Sequence, residues 1–199
     1  YLLWPWALLA AVTAAAFGRA VANSFLAWDD GQWIVHNCTL RWLDARAVLG
    51  LFHPAAHLYY QPVTYLSWML DARWRGMEPF LFHLNNVVYF SVGAGFTFLF
   101  LLALTKCATD WPQTKRRAFA LLSAAIVIVH PAHVESVAWA TERKDVLALL
   151  FGMAFLWVAV LRLERTEKSC YRDALWWLTM VVWVLGVLSK GYVAVLAVL

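Results

Sequence analysis

Apolar residues recur in five long runs along the chain, and a sixth run starts near its end. Runs of this length and apolarity predict helices that cross a membrane. The runs are Leu2–Ala22, Phe80–Leu104, Ala118–Val129, Val146–Leu161, Ala174–Ser189 and the residues from Tyr192 onward. We therefore expect an all-α, polytopic membrane protein with about five to six transmembrane helices.

Between the third and fourth runs lies a polar stretch, residues 129–145, that is rich in ionisable groups. At about 1.5 Å per residue the third run covers only roughly 18 Å, against about 30 Å of hydrocarbon in a bilayer. Polar backbone at membrane depth persists only where it lines a cavity or is enclosed by protein. The pattern thus predicts that this stretch forms one wall of a polar site.

The charge of the links orients the predicted helices. Residues 105–117 and 162–173 are rich in Lys and Arg, and such links stay on the cytoplasmic side of a membrane. If the runs alternate in direction, residues 23–79, the polar stretch and Lys190 all face the opposite side. Nearly every chemically interesting residue is then expected on one extracytoplasmic face.

The first outer segment, residues 23–79, is too long for a plain connection. Apolar residues at helical spacing predict two amphipathic helices on the membrane surface, at Leu43–Phe52 and Val63–Trp74. The second helix has aromatic and thioether side chains that we expect to anchor it in the interface: Tyr65, Trp68, Met69 and Trp74.

Composition agrees with a membrane protein. The 199 residues are 63% hydrophobic and 14% charged, whereas a soluble domain carries about 25% charge. No basic, aromatic-interleaved patch indicates nucleic-acid binding, and the three widely spaced cysteines argue against a disulfide framework or a zinc site. Because the chain begins without Met and stops within an apolar run, we expect residues 1–199 to be one transmembrane domain truncated at both ends.

Asp29 and Asp30 follow the first run and are candidates for catalysis. Adjacent side chains on an extended loop point to opposite sides, so one carboxylate could act as a general base while the other binds a cation or positions the backbone. The alternative is a solvated turn, since Asp-Asp-Gly is common in turns.

Arg143, Lys144 and Lys190 are cations at the outer edge of apolar runs. They suit a phosphate or pyrophosphate head group. The alternative is that the long side chains extend to the membrane interface without a ligand.

His130, His133 and Glu135 are further polar candidates. Two histidines at i and i+3 share a helix face and could bind a metal, but Pro131 between them opposes a regular helix. A structural hydrogen bond or contact with an anion is the other interpretation.

Several strings in this order resemble one family. They are Trp28-Asp29-Asp30, residues 57–71 (HLYYQPVTYLSWMLD), residues 79–86 with FHLNN, residues 130–138 (HPAHVESVA), residues 143–148 (RKDVLA) and Leu188-Ser189-Lys190. They are similar to the membrane part of the transmembrane-and-tetratricopeptide-repeat O-mannosyltransferases and their bacterial relatives, which are class C glycosyltransferases.

The resemblance implies a glycosyltransferase whose donor is a polyprenyl- or dolichyl-phosphate sugar, mannose-like, and whose acceptor is a protein Ser or Thr hydroxyl or a glycan. Its acidic motif maps onto Asp29 and Asp30, with an optional divalent cation such as Mg²⁺ or Mn²⁺ held there. His57 and Tyr59, together with His130, His133 and Glu135, would shape the pocket. We expect the bacterial inner membrane rather than the endoplasmic reticulum, an active periplasmic or lumenal face, and tetratricopeptide repeats only outside this chain.

Two other functions fit the same pattern. A transporter or flippase would move a lipid-linked sugar without reacting it, and would place charges near the middle of the membrane in two matching halves. A membrane scaffold would use the polar face for docking only.

Overall fold

The computed structural model describes residues 3–53, 59–164 and 173–198, and within these ranges every regular element is helical. The α-helices there are α1 Leu3–Phe17, α2 Ala45–Gly50, α3 Pro62–Arg75, α4 Pro79–Ala108, α5 Gln113–Val129, α6 His133–Ala138, α7 Arg143–Leu163 and α8 Ala174–Ser189. Shorter 3-10 helices are Gly18–Ala22, Cys38–Arg41, Ala140–Glu142 and Gly191–Val198, and Gly31–Val35 forms a π-helical turn. The all-α prediction is confirmed.

Three helical stretches in the described ranges are long and apolar enough to cross a membrane: Leu3–Ala22, Pro79–Ala108 and Ala140–Leu163. The apolar helix α8 has 16 residues, roughly 24 Å at the α-helical rise. These four stretches match the first, second, fourth and fifth predicted apolar runs, whereas α5, which contains the third run, is not among them. The chain is a polytopic membrane protein.

Helices α4 and α7 pack side by side and run in the same direction. At their starts the Arg143 guanidinium donates to the Phe82 carbonyl over 2.7 Å. At their ends Lys106 and Glu164 form an ion pair of 2.8 Å. The basic links after α4 and after α7 therefore begin at the same end of the bundle, as their charge predicted. The outer segment and the polar stretch before α7 lie at the other end.

One glycine permits the close approach of α1 and α4. A Cβ atom at Gly95 would overlap the ring of Trp6. Small residues at such crossings let helix backbones approach closely inside a membrane, where the hydrophobic effect does not drive helices together.

The outer segment has a core of its own above the helical bundle. Buried residues of α3 pack against those of the turns before it, of the first turn of α4 and of the turn before α7: Ile34, Leu40, Leu51, Tyr65, Trp68, Met69, Phe82 and Ala140. A separate core lies between α1, α4, α5, α6 and α7. The outer segment is thus folded on the bundle.

Helix α3 forms where the sequence predicted it, with Pro62 in its first turn and Gly76, at φ 68°, directly after its end. The predicted membrane anchors are wrong for most of the helix. Tyr65, Trp68 and Met69 are at most 2% exposed, because α3 is packed against α4, α8 and the Cys38–Arg41 turn. Only Trp74, the last of the predicted anchors, points outward, with 82% of its surface exposed.

Candidate active site

A cavity of about 380 Å³ opens at the outer end of the bundle. It draws residues from the first loop, α3, the turn before α7 and the residue after α8. Its lining consists of Asp29, Trp33, Tyr59, Gln61, Tyr65, Trp68, Thr141, Glu142, Lys144 and Lys190. Acidic, cationic and aromatic groups that are far apart in the sequence therefore share one space.

Asp29 is the carboxylate of the first loop that lines this cavity. It precedes the π-helical turn Gly31–Val35, in which the His36 amide donates to the Gly31 carbonyl. Its side chain is partly exposed. Asp29 is therefore open to a ligand from the cavity.

Asp30 has a different environment and is fully buried. One carboxylate oxygen accepts the Leu26 amide over 2.9 Å, and the other accepts the amide and the hydroxyl of Thr141, the amide at 2.9 Å. Asp30 thus fastens the first loop to the turn Ala140–Glu142. The two acids lie in helical backbone, with Asp30 at φ −59° and ψ −37°, and not on the extended loop expected from the sequence. Asp29 lines the cavity, whereas Asp30 is enclosed by protein.

Lys144 and Lys190 bring positive charge to the cavity. Lys144 pairs with Glu142 at 2.5 Å, and Lys190 pairs with Asp145. The two lysines come from different helical segments, yet both reach the cavity that contains Asp29. The cavity therefore presents two carboxylates, Asp29 and Glu142, and two ammonium groups, and the ammonium groups suit a phosphate-linked substrate.

Lys190 is positioned by a break in the last apolar stretch. Helix α8 ends at Ser189, Lys190 has extended backbone at φ −157°, and a 3-10 helix starts at Gly191. The Thr64 hydroxyl of α3 donates to the Ser189 carbonyl over 3.1 Å, which satisfies a carbonyl freed at the helix end. The break predicted at Leu188–Gly191 is therefore present, and extended backbone at Lys190 starts it.

Arg143 does not reach the cavity. Its side chain is fully enclosed and pairs with Asp71 at 2.5 Å. It also donates to Asn86 over 2.8 Å, to Ser67 over 3.3 Å and to the Phe82 carbonyl. A guanidinium with these partners has no face left for a donor phosphate, so the expectation that Arg143 lies beside Lys144 and Lys190 is wrong, and we assign it to the joint between α3, α4 and α7.

Aromatic side chains form a further part of the cavity's lining. The rings of Trp33 and Tyr59 lie 5.4 Å apart, and those of Tyr65 and Trp68 5.3 Å apart. Burial raises the pKa of Tyr65 to about 12, so its hydroxyl keeps its proton at neutral pH. Sequence reasoning found Tyr59 but assigned Tyr65 and Trp68 to the interface, and it missed Gln61.

His130, His133 and Glu135 lie outside this cavity. His133 lines a neighbouring cavity of about 300 Å³ with Asp145 and Tyr192, and burial lowers the pKa of its imidazole. His130 is exposed, and Glu135 borders a third cavity beside residues 23–26. None of the three lines the cavity of Asp29, contrary to the prediction, because this part of the chain reaches the cavity only from Thr141 onward. The remaining pocket prediction, His57, lies outside the described residues.

Comparison with known proteins adds an independent line of evidence. The chain is 35% identical to the mouse "Protein O-mannosyl-transferase TMTC1" and 33% identical to its human counterpart, each over 160 residues and 75% of this chain. It is a homologue of the TMTC protein O-mannosyl-transferases. Human "Protein O-mannosyl-transferase TMTC4" is 26% identical over 191 residues, or 87% of the chain.

The TMTC homology confirms the resemblance drawn from the motifs. The chain spans 16% to 17% of the length of the TMTC1 proteins and 25% of TMTC4. No family model matches the chain, and no solved structure matches it. The chain therefore corresponds to a part of proteins that carry this name, and the geometry above gives the residues on which a mechanism can be proposed.

Proposed function

We propose that this chain forms the catalytic membrane region of a glycosyltransferase that moves a mannose-like sugar from a polyprenyl or dolichyl phosphate to a Ser or Thr hydroxyl of a protein, or to a glycan. The observation that carries the proposal is the cavity shared by Asp29, Lys144 and Lys190. Its volume of about 380 Å³ lies within the range of small-molecule sites, roughly 300–1,000 Å³. The proposed active face is extracytoplasmic, periplasmic or lumenal.

In the proposed reaction Asp29 is the general base. Its carboxylate takes the proton of the acceptor hydroxyl, and the hydroxyl oxygen attacks the anomeric carbon from the side opposite the phosphate. A new oxygen–carbon bond forms while the bond between the anomeric carbon and the phosphate oxygen breaks, with inversion of configuration. The electron pair leaves with the lipid phosphate, and the proton remains on Asp29.

Lys144 and Lys190 act on the other side of the sugar. Negative charge grows on the phosphate as it departs, and fixed ammonium groups in a partly dry cavity stabilise that charge more than water does. Asp30 keeps Asp29 in place through the contacts of the loop with Thr141. Tyr59 and the other aromatic residues of the lining give the sugar an apolar face to pack against.

The described residues do not fit the divalent cation that the resemblance implied. Both oxygens of Asp30 already accept hydrogen bonds, and no group of three His, Cys, Asp or Glu side chains with metal-site geometry occurs among those residues. Two lysines beside Asp29 further disfavour a cation there. The proposed transfer therefore routes no step through a cation.

A transporter of the same lipid is a weaker interpretation. It would call for ionisable groups near the middle of the spans, whereas the ion pairs of Lys144, Lys190 and Arg143 all involve the first turn of α7 or the residue just before it. The transferase proposal accounts for the carboxylate opposite the lysines, and transport of a lipid-linked sugar does not need one.

The test is transfer of labelled mannose from polyprenyl phosphate to a Ser/Thr-containing peptide by the full-length protein in lipid nanodiscs. Asp29→Asn should reduce turnover by about 10³-fold or more while donor binding persists, because the amide cannot accept the proton. Arg46→Ala on the exposed helix α2 is the matched control and should retain full turnover. Turnover of Asp29→Asn at the wild-type rate would defeat the mechanism, and donor binding without transfer in the wild type would favour a transporter or scaffold.

A further inference from the structure

The ion pair of Lys190 and Asp145 stands between two cavities. Lys190 lines the cavity of Asp29, whereas Asp145 lines the cavity of about 300 Å³ that also contains His133, Ser136 and Tyr192. The Lys190 ammonium lies 5.4 Å from the centre of the Tyr192 ring. Lys190 therefore has one resident anionic partner, placed on the side away from Asp29.

The same arrangement extends to the other lysine of the cavity. Lys144 pairs with Glu142, which lies three positions before Asp145 in the chain. An anion that enters the cavity must share both ammonium groups with carboxylates already present. Such an ion pair lowers the affinity for the incoming anion, because part of the attraction is spent on separating the resident charges.

We propose that Asp145 is a positioning residue that competes with the lipid phosphate for Lys190 and thereby sets how tightly the product is held. This inference rests on the proposed function. The donor is a phosphodiester with one negative charge, whereas the released lipid phosphate is a monoester with about −1.5 to −2 at neutral pH. Two lysines alone would bind the product more tightly than the donor. Asp145 offsets this difference by forming its ion pair with Lys190 again when the product leaves.

The experiment measures binding of a short-chain polyprenyl phosphate, the product, to the full-length protein in nanodiscs, together with KM and kcat for transfer. Asp145→Asn should lower the Kd for polyprenyl phosphate about tenfold, because the phosphate then no longer has to separate Lys190 from a resident carboxylate. KM for the donor and kcat should both fall, since the product leaves more slowly. Asp145→Glu should restore the wild-type values.

Two comparisons test whether the effect passes through Lys190. In a Lys190→Met background, Asp145→Asn should no longer change the Kd, as expected for two residues that act as one unit. Glu164→Gln removes the carboxylate partner of Lys106 at the far end of the bundle and should leave binding unchanged. If Asp145→Asn does not fold, Asp145→Ser carries the same test.

The outcomes separate this inference from the proposed function. Unchanged or weaker polyprenyl phosphate binding in Asp145→Asn would overturn the inference even if the wild type transfers mannose. The same tightening in the Lys190→Met background would also overturn it. If the wild type binds the lipid phosphate and responds as expected but transfers no sugar, the inference stands and the transferase proposal fails.

Discussion

Asp30 and Thr141 are 111 positions apart in the chain, and their side chains meet in a buried contact at the edge of the candidate active site. The amide and the hydroxyl of Thr141 both donate to one carboxylate oxygen of Asp30, and the Leu26 amide donates to the other. The carboxylate thus joins the first loop to the turn before α7. Asp29, the residue before Asp30 in the chain, is held at the cavity by this joint.

Loss of the Asp30 carboxylate should reduce stability and, through it, activity. In Asp30→Asn an amide NH₂ group must face either the Leu26 amide or the Thr141 amide, and an unpaired buried group of this kind costs about 1–3 kcal/mol. Thr141→Val should cost about 1 kcal/mol through the lost hydroxyl. Thermal unfolding in detergent measures both.

Asp29→Asn is the matched control for this prediction, because Asp29 is partly exposed and makes no comparable set of contacts. Its unfolding midpoint should equal that of the wild type, although its transfer activity is lost. Equal midpoints for Asp30→Asn and the wild type would show that the loop is held by other contacts.

The buried pair of Arg143 and Asp71 should act on stability and not on donor affinity. Arg143→Met leaves the Asp71 carboxylate buried without its partner, which costs about 3–5 kcal/mol. Replacement of both residues, Arg143→Met with Asp71→Leu, should recover much of that loss because no charge then remains buried. The measurement is the unfolding midpoint of Arg143→Met, of Asp71→Leu and of the variant that carries both changes.

Lys106→Met provides the comparison for that pair. Its ion pair with Glu164 is of similar length, but 60% of the Lys106 side chain is exposed, so the change should cost at most about 1 kcal/mol. If Arg143→Met is folded, has normal stability and has a raised KM for the donor, Arg143 instead binds the donor phosphate.

The crossing of α1 and α4 should be sensitive to a single methyl group. Gly95→Ala places a Cβ atom in the space of the Trp6 ring, and overpacking of this kind costs about 1–3 kcal/mol. The companion change Trp6→Val should recover part of the loss, which unfolding midpoints would reveal.

Gly18→Ala serves as the control for Gly95→Ala, because a Cβ atom there would meet nothing within 4 Å. Its midpoint should stay within about 0.5 kcal/mol of the wild type. A Gly95→Ala protein as stable as Gly18→Ala would mean that Trp6 moves aside without cost.

Local patterns predicted most of the helices because most of the apolar runs are long and are ended by a clear signal. Pro62 and Pro79 lie in the first turns of α3 and α4, Gly76 follows the end of α3, and the polar pair His130–Pro131 follows α5. The same reasoning gave the wrong surroundings for one face of α3, which packs against protein and not against lipid. A helix with apolar and aromatic residues on one side looks alike whether that side meets lipid or protein, so Tyr65 and Trp68 were assigned to the interface.

Within the candidate site, loop charge and run length predicted Asp29, Lys144 and Lys190 on one face, and in the structure all three line one cavity. It could not separate Arg143 from Lys144. Adjacent residues at the start of a helix point about 100° apart, and only the position of Asp71 on α3 decides which of the two is enclosed.

By itself, then, the amino-acid sequence determined that the chain is helical and spans a membrane, and that its acids and cations gather at one end, because hydropathy and charge act on each segment separately. The tertiary structure decided which of these groups face a cavity and which pair with other protein groups and stabilise the fold. Those choices depend on pairs such as Asp30 with Thr141 and Arg143 with Asp71, whose members are brought together only when distant segments pack. Burial and pairing are properties of that packing, and no local pattern contains them.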